Sequence, residues 1–199
     1  ESLGADYVIV AMSGDFVQRG APALMEKHLR AEMALLGGAD LVLEMPVRVA
    51  TASAEGFACG GVSLLDRLGI VDTLCFGSEC GDTEALVKIA EILLSEPEAY
   101  RNALQKYLKD GLNFPAARAS ALKNYLAAFR CTDISADHAA EILSSPNNIL
   151  GIEYCKALSR LKSSIQPHAL MRAGSGYHET ELSGNTLPSA SAIRNFITE

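Results

Sequence analysis

The sequence predicts an α/β fold built on a parallel sheet, with a helical insertion. Three observations carry this. Tyr7–Met12 is a short, continuous, partly β-branched apolar run, as in a strand covered on both faces, and Asp40–Met45 and Val71–Phe76 are two further short, largely apolar stretches. The segments between them repeat their apolar residues at helical spacing. From Thr83 to about Leu143 no strand-like run occurs and the pattern is helical throughout. Strand, helix, strand, helix, strand with short connections and right-handed crossovers makes half of a doubly wound sheet.

Taken in order, the first strand ends at Ser13-Gly14, and Asp15 to Gly20 form a polar loop. Pro22 suits the first turn of a helix, along which Leu24, Met25, His28, Leu29, Met33 and Leu36 recur until Gly37-Gly38. The second strand closes at Pro46. A small-residue helix follows, from about Ser53 to Leu68, whose glycines at 56, 60 and 61 weaken it but allow close packing on the sheet. The third strand ends in Gly77-Ser78-Glu79. Asp82-Thr83, Pro97 and Phe114-Pro115 open three helices of the insertion. Ser145-Pro146-Asn147-Asn148 caps a helix to about Leu161, with Ile149, Ile152, Leu158 and Leu161 facing inward. Ile165 to Arg172 read as a returning strand, and Pro167 puts it at an edge or a first position. After a loop from Gly174 to Asn185, Pro188-Ser189 opens a last helix. The expected organisation is a core segment over 1–82, the insertion over 83–144, and a return to the core over 145–199.

Hydrophobic residues make up 49% of the 199 residues and charged residues 21%, enough for a packed core and against wholesale disorder. No apolar run approaches the ~20 residues of a membrane-spanning helix. The start, Glu1-Ser2-Leu3-Gly4, lacks signal-peptide features, so a cytoplasmic location is expected. The net charge of −7 means that a polyanion needs a local basic patch. Arg101, Lys106, Lys109, Arg118, Lys123 and Arg130 offer one along the insertion, or simply a solvated helix face. The five cysteines contain no CxxC pair and are expected to be small buried hydrophobes. No metal cluster and no Ser-His-Asp or Cys-His arrangement is apparent.

Ligands of open α/β sheets bind beyond the carboxyl ends of the strands, which here gathers Ser13 to Gly20, Met45-Pro46, Gly77 to Glu79 and Arg172 to Tyr177. Ser13, Gly14 and Arg19 sit between a strand and a helix start, where free amides and a guanidinium favour an anion, unless the segment is a plain surface turn. Gly77 leaves room for a backbone to approach a ligand. Glu79 suits a metal ion, a hydroxyl or a helix cap. Ser189, Ser191 and Arg194 bring a capping hydroxyl, free amides and a guanidinium to one face of a first helical turn, fit for a polyphosphate or for a capped surface helix. His178 is a loop histidine near the proposed cleft.

These segments together resemble the tRNA(Met) cytidine acetate ligase family of the HIGH-type nucleotidyltransferase superfamily. The resemblance rests on Met12-Ser13-Gly14-Asp15-Phe16-Val17-Gln18-Arg19-Gly20 with Pro22-Ala23-Leu24, on Ala39–Pro46, Ala54–Ala58 and Leu74–Glu79, and on Ser145–Tyr154 and Pro188–Arg194. It implies a Rossmann-like nucleotidyltransferase core. It also implies an enzyme that makes acetyl-adenylate from acetate and ATP, with Mg2+, and passes the acetyl group to N4 of the wobble cytidine of elongator methionine tRNA. By the same resemblance Gly77, Asn147 and Arg172 are ATP-binding positions, Ser189, Ser191 and Arg194 form a second phosphate motif, and the Ser13–Arg19 loop borders the cleft. The family's His-x-Gly-His segment does not occur in the 199 residues, so no catalytic residue is assigned. A core fragment is expected, inactive alone and short of one central strand, with an open sheet edge. Two other readings stay in play: an adenylyltransferase for a small metabolite, and a nucleotide-binding module without turnover.

Overall fold

The structure is a computed structural model that describes residues 3–18, 20–129 and 133–172. Its elements run β1 (Ile9–Ser13), α1 (Lys27–Leu36), β2 (Leu41–Met45), α2 (Val47–Ala50), α3 (Ala54–Asp66), β3 (Thr73–Ser78), α4 (Thr83–Ser95), α5 (Glu98–Lys109), α6 (Phe114–Phe129), α7 (Ala136–Ile142), α8 (Pro146–Leu161) and β4 (Gln166–Met171). The predicted alternation of strands and helices is present, and so is the helical stretch between β3 and α8. The one-turn α2 was not legible in the sequence.

The strands pair two by two. β1 lies parallel to β2, with Ser13 opposite Met45, and β3 lies parallel to β4, with Ser78 opposite Met171. No ladder joins β1 to β3 among the described residues. A helical layer holds the two pairs together instead. Val62 and Leu65 of α3 and Ala157 and Leu158 of α8 form a buried cluster, against which pack Ile9 and Ala11 of β1 and Leu74 of β3. Polar contacts join the same two helices: Glu55 pairs with Arg160, and Ser163, just past α8, donates to Asp66 at 2.5 Å.

The larger core lies on the other side of α8. Leu86 and Ile89 of α4, Tyr100 of α5, Leu122 and Leu126 of α6, and Ile142 of α7 share it with Ile152 and Cys155 of α8 and Ala169 of β4. The helices between β3 and α8 are thus packed onto the same body as the strands. Gly151 allows α8 to approach β3 closely: a Cβ there would lie 2.7 Å from Cε2 of Phe76, inside contact distance. Ile152 and Leu158 face inward as expected, whereas Leu161 is 40% exposed at the end of α8.

Local chemistry explains most boundaries. Ser53, Asp82 and Ser135 accept hydrogen bonds from Gly56 N (3.3 Å), Ala85 N (3.0 Å) and His138 N (3.1 Å), capping α3, α4 and α7. α4 and α8 stop at Glu96 (φ 41°) and Lys162 (φ 52°), left-handed positions taken without glycine. α1 begins five residues later than Pro22, because Pro22 first pairs back on Phe16 in an isolated antiparallel bridge. The cysteines are not uniformly buried. Cys155 is, and burial pushes its thiol up to about 12, but Cys59 and Cys75 are exposed and Cys131 lies outside the described residues.

Candidate nucleotide site

Each parallel pair carries one polar cluster at the carboxyl ends of its strands. The first is built from the end of β3, the start of α8 and the end of β4. The Asn148 Oδ1 atom, on a residue only 2% exposed, accepts three hydrogen bonds: from Ser78 Oγ at 2.7 Å, Glu79 N at 2.9 Å and Cys80 N at 3.1 Å. Ser78, fully buried, accepts in turn from Gly81 N at 3.1 Å. The β3–α4 turn is thereby wrapped around one amide oxygen.

Glu79 answers from the other side. Its carboxylate accepts from Asn147 N (3.3 Å), Asn147 Nδ2 (2.7 Å) and Asn148 N (2.8 Å). Ser145 occupies the N-cap position of α8, but its side chain makes no capping bond. The cap is supplied by Glu79, from 68 residues earlier in the chain. Of the roles open to Glu79, helix capping is the one observed. Among the described residues no group of His, Cys, Asp or Glu is arranged to hold a metal ion.

Arg172 completes the cluster. Its backbone N donates to Ser78 O at 3.0 Å, continuing the β3–β4 ladder by one residue. Its side chain runs over Gly77: a Cβ on Gly77 would sit 3.4 Å from Arg172 Cγ. Gly77 and Arg172 are exposed and Asn147 is half-buried. Three residues far apart in the chain, Gly77, Asn147 and Arg172, thus meet on one small surface.

The second cluster follows β1. Arg30 Nη2 donates to the carbonyls of Ser13 (2.9 Å) and Gly14, and its Nε donates to Met25 O at 3.2 Å. Lys27 Nζ pairs with Glu44 at 2.8 Å, which together with the Coulomb attraction of that carboxylate raises the lysine pKa. Asp15 Oδ1 accepts from Lys27 N at 3.2 Å and so holds the start of α1. A Cβ on Gly14 would overlap the Glu44 carboxylate, so any larger residue there would push that side chain off its present position beside Lys27. The amide at the start of α1 is therefore met by Asp15 rather than left free for an anion. Arg30, Lys27 and Glu44 were not singled out from the sequence. Their spacing to Ser13-Gly14 appears only once α1 and β2 flank β1.

Arg19, Ser189, Ser191, Arg194 and His178 lie outside the described residues. In the supposed basic stripe Arg118 turns inward, 14% exposed, toward Glu153, and Lys123 is tied to Asp137 at 2.7 Å. A groove of about 660 Å3 between α4, the last turn of α8 and the start of β4 contains none of the predicted site residues.

The profile of the HIGH Nucleotidyl Transferase family matches residues 1–199. A tRNA(Met) cytidine acetate ligase of Clostridium perfringens is 50% identical over 198 residues, covering 99% of this chain and 49% of that protein. The protein of the same name from Acetivibrio thermocellus is 50% identical over 195 residues, covering 98% of this chain and 45% of its own length. Among solved structures, apo Thermotoga maritima TmcAL superposes with a TM-score of 0.91 at 41% identity, covering 97% of this chain and 44% of that one. The same protein bound with alpha-thio ATP gives 0.84 at 40% identity, covering 97% and 43%. The chain spans about half the length of the curated relatives it matches.

Proposed function

We infer, since this chain belongs to the HIGH nucleotidyl transferase family, that it forms the core of an ATP-dependent ligase. In this reading the whole protein acetylates N4 of the wobble cytidine of elongator methionine tRNA. The observation that carries it is the meeting of Gly77, Asn147 and Arg172 at the carboxyl end of β3 and β4. The names of the 50% identical relatives and the ATP analogue bound to the structural neighbour support it.

In this mechanism ATP lies across the strand ends. Arg172 supplies a fixed positive charge beside a residue with no side chain, so the phosphates approach the backbone closely. A carboxylate oxygen of acetate attacks the α-phosphorus and pyrophosphate leaves, giving acetyl-adenylate. The cytidine amine then attacks the acetyl carbonyl and AMP departs. Neither step needs a protein nucleophile; both need positioned anions and donors where charge builds up. Mg2+ bound with ATP would neutralise charge on the phosphates and the leaving pyrophosphate. By the family resemblance, Ser13, Gly14 and Arg19 border the cleft in this reading, and Ser189, Ser191 and Arg194 supply a second phosphate motif. A tRNA substrate goes with a cytoplasmic location. Among the described residues no helix is long and apolar enough to cross a membrane.

The test is to incubate the full-length protein with ATP, labelled acetate and unmodified elongator methionine tRNA. Label on a single cytidine is the expected result. Pyrophosphate release with a small metabolite and no tRNA would instead indicate an adenylyltransferase, and ATP binding without release a nucleotide-binding module. Arg172→Ala is expected to weaken ATP binding by about 1.5–3 kcal/mol, the usual worth of a charged hydrogen-bonding partner, and Arg194→Ala likewise. Calorimetry that finds ATP affinity unchanged and thermal stability lowered in Arg172→Ala would make that residue structural.

A further inference from the structure

We propose that Glu79 is a positioning residue that turns the Asn147 side-chain amide so that its oxygen faces the bound nucleotide. Asn147 then accepts a hydrogen bond from a hydroxyl or amino group of the nucleoside and is not a phosphate ligand. The proposal rests on the reading of this cluster as the ATP site.

The argument begins with an acceptor that has no proton to give. An ionised carboxylate only accepts hydrogen bonds. Glu79 Oε1 lies 2.7 Å from Asn147 Nδ2 and Oε2 lies 2.8 Å from Asn148 N. Rotating the Asn147 amide by half a turn would set its oxygen against Oε1, two acceptors in contact. The nitrogen therefore stays inward. No described group donates to the Asn147 oxygen, and the residue is only half-buried.

The carboxylate that imposes this orientation is itself held. Glu79 N donates to the buried Asn148 oxygen at 2.9 Å, and Ser78 O, one residue earlier, accepts from Arg172 N at 3.0 Å. The end of a helix normally offers free amides and a positive dipole to an anion. Here two of those amides are spent on Glu79, whose charge also offsets the dipole. A phosphate at this spot would meet a carboxylate and an outward amide oxygen. A neutral donor would meet a fixed acceptor. The phosphates are left to Arg172, whose side chain crosses Gly77.

ATP carries three groups that can donate: the 2′-hydroxyl, the 3′-hydroxyl and the 6-amino group of adenine. The experiment measures dissociation constants of the full-length protein for ATP, 2′-deoxy-ATP, 3′-deoxy-ATP, purine riboside triphosphate and inorganic triphosphate. Wild-type protein is expected to bind one of the three analogues about tenfold more weakly than ATP, which names the donor. Glu79→Gln places an amide nitrogen among the donors of α8, and is expected to bind ATP about tenfold more weakly and to lose that discrimination. Inorganic triphosphate is expected to bind wild type and Glu79→Gln equally, a result that a general loss of structure would not give. Asn147→Ala, at a half-buried position, is expected to lose the same discrimination. The proposal is overturned if wild type distinguishes none of the three analogues, or if either variant keeps the wild-type preference. Wild-type protein that binds no ATP at all would overturn the reading of the site itself.

Discussion

Replacing Glu153 by alanine is expected to lower the unfolding free energy by about 3–5 kcal/mol, measured by urea denaturation. Glu153 is 5% exposed in the middle of α8. One carboxylate oxygen lies 2.7 Å from Lys156 Nζ and the other 3.6 Å from Arg118 Nη1 of α6. Both cations are mostly covered, and Arg118 Nε has no hydrogen-bond partner. Removing the carboxylate leaves two positive charges facing each other away from water, which costs more than losing a contact. Replacing all three residues by methionine is expected to recover most of the loss, because it removes the desolvated charges together. A loss below about 1 kcal/mol in Glu153→Ala would mean that water reaches the cluster and screens it like a surface pair.

The second large effect is expected at Asn148. Asn148→Ala strands the Ser78 hydroxyl and the amides of Glu79 and Cys80 around an empty position. At about 1–3 kcal/mol for each stranded buried donor, partly relieved by relaxation, a destabilisation of about 3 kcal/mol is expected. Faster hydrogen exchange at the Glu79 and Cys80 amides should accompany it. Asn148→Asp keeps the acceptor and should restore part of the stability, less the repulsion from the Glu79 carboxylate. Equal losses for Ala and Asp would show that the amide oxygen is not the organising group.

The strands and long helices could be read from the chain because their signals are local. β2 is apolar but for Glu44, and the helix expected to open at Phe114-Pro115 is α6, Phe114–Phe129. That Gly77 and Arg172 would meet was expected from the rule that ligands collect at strand ends, and Asn147 came from resemblance alone. The chemistry between them was not legible. The Glu79–Asn147 contact spans 68 residues and depends on where a turn places a carboxylate, which no periodicity records. Arg118 misled for a related reason. It sits among exposed basic residues, and only the packing of α6 against α8 reveals that its guanidinium is internal. Pro22 misled because a bridge to Phe16 outcompetes an early helix start.

Because the two strand pairs are joined through apolar side chains of α3 and α8, the bond between them has an unusual thermal character. Apolar contact loses strength on cooling, while hydrogen-bonded ladders do not depend on it in the same way. The two strand pairs should therefore slacken relative to each other in the cold before either pair itself frays. Methyl resonances of Val62, Leu74 and Leu158, followed down to near freezing, are the natural reporters. Broadening there ahead of the β1–β2 and β3–β4 amides is the expected order.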